Sequence, residues 1–221
     1  MTQRETPFET PLDSWLKNTK PLIPVIVNEN LDDAVPMAKA LVAGGTHLLE
    51  VTLRTPAGLA AIKQISEQVP EAIVGAGTVC NSDDYQNAID AGAQFIVSPG
   101  LTPELIAKAQ QVKKQGQWSG VFLPGVATAS EVMIAKSAGF TQLKCFPASA
   151  IGGVKLLKAW SGPFGDIQFC PTGGISPENY QEYLNLPNVI CVGGSWLTEG
   201  KLLAAKDWIE VEARAEKIIS K

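Results

Sequence analysis

Residues 47–75 read HLLEVTLRTPAGLAAIKQISEQVPEAIVG and contain a complete strand–helix–strand unit. The run His47–Thr52 is short and rich in leucine and valine, as buried strands are. Ala57–Val69 has the apolar spacing of an amphipathic helix, and Ala72–Gly75 is a second short apolar run. Regular alternation of strands and helices favours a parallel sheet, so this stretch predicts an α/β fold.

The same alternation extends over most of the 221 residues. Short apolar runs predict eight strands, at Leu22–Val27, His47–Thr52, Ala72–Gly75, Phe95–Val97, Gly120–Leu123, Gln142–Cys145, Ile167–Cys170 and Val189–Val192. Helical patterns follow them, at Leu31–Ala43, Ala57–Val69, Ser82–Ala91, Pro103–Gln115, Ala129–Ala138, Gly153–Trp160, Pro177–Leu184 and Leu202–Ile219. Eight regular units without a break in composition favour a single (β/α)8 TIM barrel over residues 1–221, rather than an open doubly wound sheet. Residues 1–20 are predicted to be an N-terminal helical extension, in which Phe8–Lys17 is expected to form an extra helix at the bottom of the barrel.

Composition excludes several classes of function. The net charge is −4 and there is no basic stripe, which argues against nucleic-acid binding. No apolar run approaches the roughly 20 residues of a membrane span, and residues 1–17 lack the apolar core of a signal peptide. We therefore expect a cytoplasmic protein without a membrane partner. The single histidine, His47, argues against a zinc site, and the four cysteines are interpreted as reduced core residues.

Lys144 is the residue with the clearest chemical implication. It lies in the predicted strand Gln142–Cys145, where alternation places it on the face of Gln142 and Phe146, opposite Leu143. If both faces of the strand are buried, an ammonium group there is costly and tends to become a neutral amine. A neutral amine is a nucleophile that forms a Schiff base with a carbonyl substrate. The alternative is a strand-end lysine whose ammonium group reaches solvent.

A second polar cluster accompanies the second predicted strand. Alternation places Glu50, Thr52 and Arg54 on one face, which points into the interior of a barrel. One interpretation is a structural ion pair between Glu50 and Arg54. The other is a general acid/base, Glu50, beside an arginine whose planar fork binds a substrate carboxylate.

Glycine-rich segments follow several strands at the end where barrel enzymes place their active sites. Gly75-Ala76-Gly77-Thr78 would bring backbone close to a ligand and add a hydroxyl, although a tight loop explains it equally well. Pro171-Thr172-Gly173-Gly174-Ile175 and Gly193-Gly194-Ser195 follow strands seven and eight, the usual position of a barrel phosphate site. Ser98-Pro99-Gly100 and Pro124-Gly125 are weaker signals and are interpreted as loop-shaping residues.

Taken together, these motifs resemble the bacterial 2-keto-3-deoxy-6-phosphogluconate (KDPG) aldolases, which often also cleave 4-hydroxy-2-oxoglutarate (KHG). The resemblance runs from about Leu22 to Trp196 and includes six strand ends. The matching segments are Leu49-Glu50-Val51-Thr52-Leu53-Arg54-Thr55, Gly75-Ala76-Gly77-Thr78-Val79, Ser98-Pro99-Gly100, Lys144-Cys145-Phe146-Pro147-Ala148, Pro171-Thr172-Gly173-Gly174-Ile175 and Gly193-Gly194-Ser195-Trp196.

The resemblance implies a role for each of these positions. Lys144 would be the Schiff-base lysine and Glu50 the acid/base. The substrate-binding residues would be Arg54 and Thr78 at the pyruvate end, Pro99 and Phe146 around it, and Thr172, Gly173, Gly174, Gly194 and Ser195 toward the phosphate. It implies a phosphorylated keto-acid substrate, no cofactor, no metal and a homotrimer.

Two departures from the family pattern are a polar stretch at Gln110–Gly120, which predicts a longer loop, and Cys145, where an aromatic residue is common. Cys145 is expected on the face away from the substrate. The rival functions are a phosphate-binding barrel isomerase or epimerase and a non-catalytic binding barrel with a Lys144–Glu50 ion pair. The sequence leaves open the preference between phosphorylated and non-phosphorylated substrates and the stereochemical fidelity at C4.

Overall fold

The computed structural model describes residues 10–116 and 118–218, which form alternating strands and helices. The strands are β1 (Leu22–Ile26), β2 (Leu48–Thr52), β3 (Ile73–Gly77), β4 (Phe95–Val97), β5 (Val121–Leu123), β6 (Gly125–Val126), β7 (Gln142–Cys145), β8 (Gln168–Pro171) and β9 (Val192–Gly194). The helices are α1 (Pro11–Leu16), α2 (Ala34–Ala43), α3 (Gly58–Gln68), α4 (Ser82–Asp90), α5 (Pro103–Gln115), α6 (Ala129–Ser137), α7 (Gly153–Trp160), α8 (Tyr180–Leu184), α9 (Gly200–Ala205) and α10 (Trp208–Glu216). Two short 3-10 turns occupy Leu31–Asp33 and Trp196–Thr198.

The described strands pair in parallel throughout. One sheet has the order β5-β4-β3-β2-β1-β9, and a second has the order β6-β7-β8. Isolated parallel bridges join Phe169 to Val189 and Thr172 to Gly193, so the second sheet also contacts the segment that contains β9. The predicted α/β class is therefore confirmed. A closed eight-stranded barrel stays a prediction, because the ladder is divided into two sheets.

Both faces of the strands are buried, which is why their sequences read as short continuous apolar runs. Neighbouring residues alternate between two apolar clusters: Leu22 and Leu49 lie in the larger one, between strands and helices. Ile23 and Leu48 lie in the smaller one. Leu12 of α1 belongs to this smaller cluster and is fully buried.

Helix α1 lies where β7 begins and is held by polar contacts. Thr10 and Asp13 form a reciprocal cap at its N-terminus. The Thr10 hydroxyl also donates to Gln142 Oε1 at 2.8 Å, and Gln142 Nε2 donates to Asp13 Oδ1 at 3.0 Å. The extra N-terminal helix is thus confirmed at Pro11–Leu16, while the predicted Phe8 start lies outside the described residues.

Several boundaries differ from those predicted, and three of the differences have a clear local cause. The last strand is Val192–Gly194 rather than Val189–Val192, because it pairs with β1 through two glycines that carry little strand propensity. The helix predicted at Leu202–Ile219 is divided into α9 and α10 at Lys206, whose φ of 53° is left-handed. The helix predicted from Pro177 begins at Tyr180, after a turn in which the Ser176 amide donates to Asn179 Oδ1.

The prediction of a longer loop at Gln110–Gly120 is wrong. Helix α5 continues to Gln115 and ends at Gly116, whose φ of 63° is the left-handed conformation that favours glycine. The polar residues that suggested a loop lie on the exposed side of this helix. Trp118, beyond the helix, donates its indole N–H to the Ala93 carbonyl at 2.8 Å and anchors the remaining connection.

No helix among the described residues combines the length and the hydrophobicity that crossing a bilayer requires.

Candidate active site

Lys144 and Glu50 meet in the interior of the protein. Each lies in the middle of its strand, β7 and β2, and the Lys144 Nζ is 3.1 Å from Glu50 Oε1. Lys144 is 5% exposed and Glu50 is 3% exposed. The Lys144 side chain is therefore almost entirely enclosed, and the interior orientation predicted for it is confirmed. The Phe146 ring centroid lies 5.4 Å from Nζ, which gives the cation an aromatic wall.

The position of the Glu50 carboxylate depends on Gly77 of the neighbouring strand β3. A Cβ at Gly77 would overlap the carboxylate, so only glycine leaves room for it. A Cβ at Gly75 would instead overlap the Phe95 ring. The sequence suggested that these glycines bring backbone close to a ligand. The structure shows that each makes room for a side chain of its own protein.

Arg54 does not continue the inward face of β2. The strand ends at Thr52, so Arg54 lies in the following turn and is exposed. It makes no hydrogen bond or ion pair with the described residues, and the partner of Glu50 is Lys144. The alternative of a structural Glu50–Arg54 ion pair is therefore wrong. The Thr52 hydroxyl is used structurally and donates to the Ile26 carbonyl at 2.9 Å.

Thr78 directly follows β3 and has a backbone conformation that is unusual for its type. Its φ is 62°, which is rare for a β-branched residue and is held only where surrounding structure enforces it. Its side chain is partly exposed. A strained residue at the carboxyl end of a strand next to Glu50 is consistent with a ligand-binding position.

Pro99 lies close to the strand segment that pairs with the lysine. A Cβ at Gly125 would overlap the Pro99 backbone, and Gly125 is the register partner of Lys144. Pro99 is exposed, whereas the preceding Ser98 is buried and accepts the Gly125 N–H at 3.3 Å. Pro99 therefore lies beside β6, next to the strand that carries Lys144.

The two glycine loops come together. Thr172 bridges Gly193, and a Cβ at Gly193 would overlap the Thr172 hydroxyl. That hydroxyl oxygen is buried and has no hydrogen-bond partner among the described residues. Gly173 and Gly174 have left-handed φ values of 96° and 74° that favour glycine. These neighbouring backbone segments form one polar edge at the carboxyl ends of β8 and β9.

The glycine at 194 has a different explanation from the one that the sequence suggested. A Cβ there would overlap the Trp196 ring, so Gly194 accommodates an aromatic side chain. Ser195, which follows it, is exposed. Sequence reasoning missed Ser149, whose N–H donates to the Gly173 carbonyl at 3.0 Å and whose side chain lies against Gly174. A lone serine two residues after a proline gave no signal of this contact.

The cysteines lie away from this chemistry or at its edge. All four are free. Cys145, Cys170 and Cys191 are buried, whereas Cys80 is exposed, so the interpretation of Cys80 as a core residue is wrong. Burial raises the pKa of the Cys145 thiol to about 12, with a further contribution from nearby Cys170. Cys145 belongs to the apolar cluster between strands and helices, which confirms the expectation that it faces away from Lys144.

Comparisons with known proteins give a consistent result. The sequence model of one family, described as KDPG and KHG aldolase, matches residues 12–214. The chain is 49% identical over 212 residues to the KHG/KDPG aldolase of Escherichia coli strain K12, covering 96% of each protein.

Two solved structures of similar proteins carry ligands. The KDPG aldolase of Legionella pneumophila, with pyruvate captured as a covalent carbinolamine, has a TM-score of 0.87 and 43% identity, covering 93% of this chain and 97% of that one. The KDPG aldolase of Zymomonas mobilis ZM4 with 3-phosphoglycerate has a TM-score of 0.84 and 44% identity, covering 94% and 96% of the two chains.

Proposed function

The chain belongs to the KDPG and KHG aldolase family, and from this premise we propose that Lys144 and Glu50 are its catalytic residues. The protein is a lyase that cleaves 2-dehydro-3-deoxy-6-phosphogluconate to pyruvate and glyceraldehyde 3-phosphate, and 4-hydroxy-2-oxoglutarate to pyruvate and glyoxylate. The observation that carries the assignment is the buried contact of 3.1 Å between Lys144 Nζ and Glu50 Oε1.

The contact supplies the species that the first step requires. Because Glu50 Oε1 accepts a hydrogen bond from Lys144 Nζ, the carboxylate lies where it can take a proton from the ammonium group, and that transfer leaves a neutral amine and a carboxylic acid. The amine of Lys144 attacks the C2 carbonyl carbon of the substrate and forms a carbinolamine. The Glu50 acid then protonates the departing hydroxyl group, which leaves as water and gives an iminium ion.

Carbon–carbon cleavage follows from the charge on that nitrogen. The C3–C4 bond breaks, its electron pair moves through C3 and C2 to the iminium nitrogen, and the C4 hydroxyl proton passes to Glu50. The aldehyde product leaves and an enamine remains. Protonation of the enamine at C3 and hydrolysis of the resulting iminium release pyruvate and regenerate the Lys144 amine. No step calls for a cofactor.

The remaining residues are proposed to bind the two ends of the substrate. Arg54 has no partner among the described residues and would bind the pyruvate carboxylate with its guanidinium fork, beside the Thr78 hydroxyl. Pro99 and Phe146 would form the walls around the reacting carbons. The polar edge made by the loops after β8 and β9 would bind the phosphate through Thr172, Gly173, Gly174, Gly194 and Ser195.

At the level of the whole chain we propose one closed (β/α)8 barrel domain. Only Pro124 separates β5 from β6, and the two parallel bridges join β8 to the segment of β9. We further propose a homotrimer, which is consistent with the exposed apolar residues Met133 and Ile134 on α6. Residence in the cytoplasm stays a prediction.

A steady-state assay of pyruvate release from both substrates tests the function. We expect the unmodified protein to cleave both, and Lys144→Arg to abolish cleavage of each, since arginine stays protonated and is not a nucleophile here. Lys155→Arg, an exposed lysine on α7, is the matched control and should keep full activity. A folded protein that cleaved neither substrate, or a Lys144→Arg variant that cleaved normally, would contradict the proposal.

A further inference from the structure

Arg214 of α10 contacts the chain directly after Ser195. Its Nη1 donates to the Trp196 carbonyl at 2.8 Å and lies 3.4 Å from Glu199 Oε2. Its Nε donates to Glu210 Oε1 at 2.8 Å, one helical turn earlier. The planar guanidinium group therefore contacts three groups in a fixed arrangement, which a lysine could not reproduce.

The segment that Arg214 contacts is short and tightly constrained. Trp196–Thr198 forms a 3-10 turn, in which the Thr198 N–H donates to the Ser195 carbonyl at 3.1 Å. The Trp196 side chain packs over Gly194 and lies 5.9 Å from the Tyr180 ring. Arg214 contacts both ends of this turn, through the Trp196 carbonyl and the Glu199 carboxylate. Ser195 is thus an exposed residue that directly precedes a turn held in place by Arg214.

We propose that Arg214 is a positioning residue for substrate phosphate, acting by holding the Trp196–Thr198 turn so that Ser195 presents its hydroxyl and N–H groups to the anion. In this proposal Arg214 acts through the turn rather than on the phosphate, because its Nη1 and Nε are engaged by Trp196, Glu199 and Glu210. The inference rests on the proposed phosphate role of Ser195. It predicts that Arg214 matters for substrates with a phosphate and much less for those without one.

The test compares kcat and KM for KDPG and for 4-hydroxy-2-oxoglutarate in Arg214→Met and in the unmodified protein. Losing a charged hydrogen bond that fixes the loop should lower kcat/KM for KDPG relative to the other substrate by about tenfold, mainly through KM. Arg214→Lys should recover part of this ratio, because the ammonium group can still reach the Trp196 carbonyl. Equal losses for both substrates would mean a purely structural role and would overturn the proposal.

Glu210→Gln is the matched control. It weakens one contact of the same guanidinium group and leaves the contacts with Trp196 and Glu199, so the substrate ratio should stay unchanged. If Glu210→Gln lowered the ratio of kcat/KM for the two substrates as much as Arg214→Met does, the effect would belong to helix α10 rather than to the Trp196–Thr198 turn. That result would contradict the proposal.

Ser195→Ala separates this proposal from the phosphate site on which it rests. An unchanged substrate ratio in Ser195→Ala would remove the Ser195 hydroxyl from the phosphate site and, with it, the premise of this proposal. A reduced ratio in Ser195→Ala with an unchanged ratio in Arg214→Met would overturn only the role of Arg214. If Arg214 acts through Ser195, the double variant should lose little more than either single variant. Independent, additive losses would contradict the proposal.

Discussion

At the scale of single residues, the proposed active site is built on Lys144 and Glu50, and each side chain stabilises the other. Lys144 and Glu50 are both buried, and each is the other's charged partner. Removing one partner of a buried ion pair typically costs about 3–5 kcal/mol of stability, because the other charge is left unpaired. Loss of activity alone therefore does not establish a catalytic role, and informative substitutions must preserve the packing.

Glu50→Gln keeps the shape of the side chain and its ability to accept a hydrogen bond from Lys144. It removes the proton transfer that the mechanism assigns to this carboxylate. We expect kcat for both substrates to fall by about 10²-fold or more, with a smaller change in KM. Steady-state kinetics on a variant with an unaltered circular dichroism spectrum measures this. A kcat close to that of the unmodified protein would leave Glu50 as a structural partner only.

Unlike Lys144 and Glu50, Arg54 can be replaced without breaking an ion pair, because it is exposed and has no partner among the described residues. Arg54→Lys loses the two-pronged contact with a carboxylate, so the KM of both keto-acid substrates should rise. The melting temperature should not change, since no internal contact is broken. A lower melting temperature with an unchanged KM would show that the arginine serves the fold and would remove it from the binding site.

Several residue-level features could be predicted from the sequence and others could not. Alternation along a short buried strand was enough to place Lys144 in the interior. It failed for Arg54, because the strand ends two residues earlier and alternation applies only within a strand. The requirement for glycine at position 77 could not be predicted either, since it arises from the Glu50 carboxylate on a neighbouring strand.

At the scale of secondary-structure elements, the N-terminal helix is tied to the strand that carries the lysine. Thr10, Asp13 and Gln142 form a closed set of hydrogen bonds between α1 and the start of β7. Gln142 is buried and lies two residues before Lys144 on the same face. Helix α1 thus stabilises the end of the protein opposite the proposed site.

Asp13→Ala should destabilise the protein by about 1–3 kcal/mol, since it removes the Asp13 half of the reciprocal cap and one of the two acceptors of the buried Gln142 amide. Denaturant unfolding followed by circular dichroism measures the change. Glu71→Ala, which removes an exposed carboxylate, is the control and should stay within about 0.5 kcal/mol. Equal stability of the two variants would mean that α1 is not an integral part of the fold.

Element types could be predicted well because the strands are short continuous apolar runs and the helices carry an amphipathic period and end signals. Pro103–Gln115 has a threonine cap, a proline in its first turn and a glycine after its end, and the structure has the same bounds. Strand β9 was displaced in the prediction because two of its three residues are glycines. Glycine carries no periodic signal, and only pairing with β1 makes that segment a strand.

At the scale of the whole molecule, local sequence patterns do not establish closure of the barrel or association of subunits, and both stay predictions. Closure depends on pairing between distant segments, such as the bridge between Thr172 and Gly193. Association depends on surfaces that a single sequence does not mark. Met133 and Ile134 on α6 are exposed apolar neighbours at 59% and 52%, which is where we expect contact between subunits.

Sedimentation equilibrium tests the homotrimer directly. With a chain mass of 23.5 kDa, we expect a particle of three chains, and Ile134→Asp should dissociate it because a carboxylate would be buried at the contact. Ile209→Asp places the same charge on α10, at a residue that is 83% exposed, and should leave the trimer intact. Dissociation by Ile209→Asp but not by Ile134→Asp would move the contact to α10.

Trapping with borohydride measures directly whether Lys144 forms the covalent intermediate. The protein is incubated with pyruvate, reduced with borohydride, digested and mapped by mass spectrometry. We predict a single pyruvate-derived modification on the peptide that contains Lys144, absent without pyruvate. Modification of Lys155 or Lys158 instead, or of no lysine while the protein still cleaves its substrate, would contradict the Schiff-base mechanism.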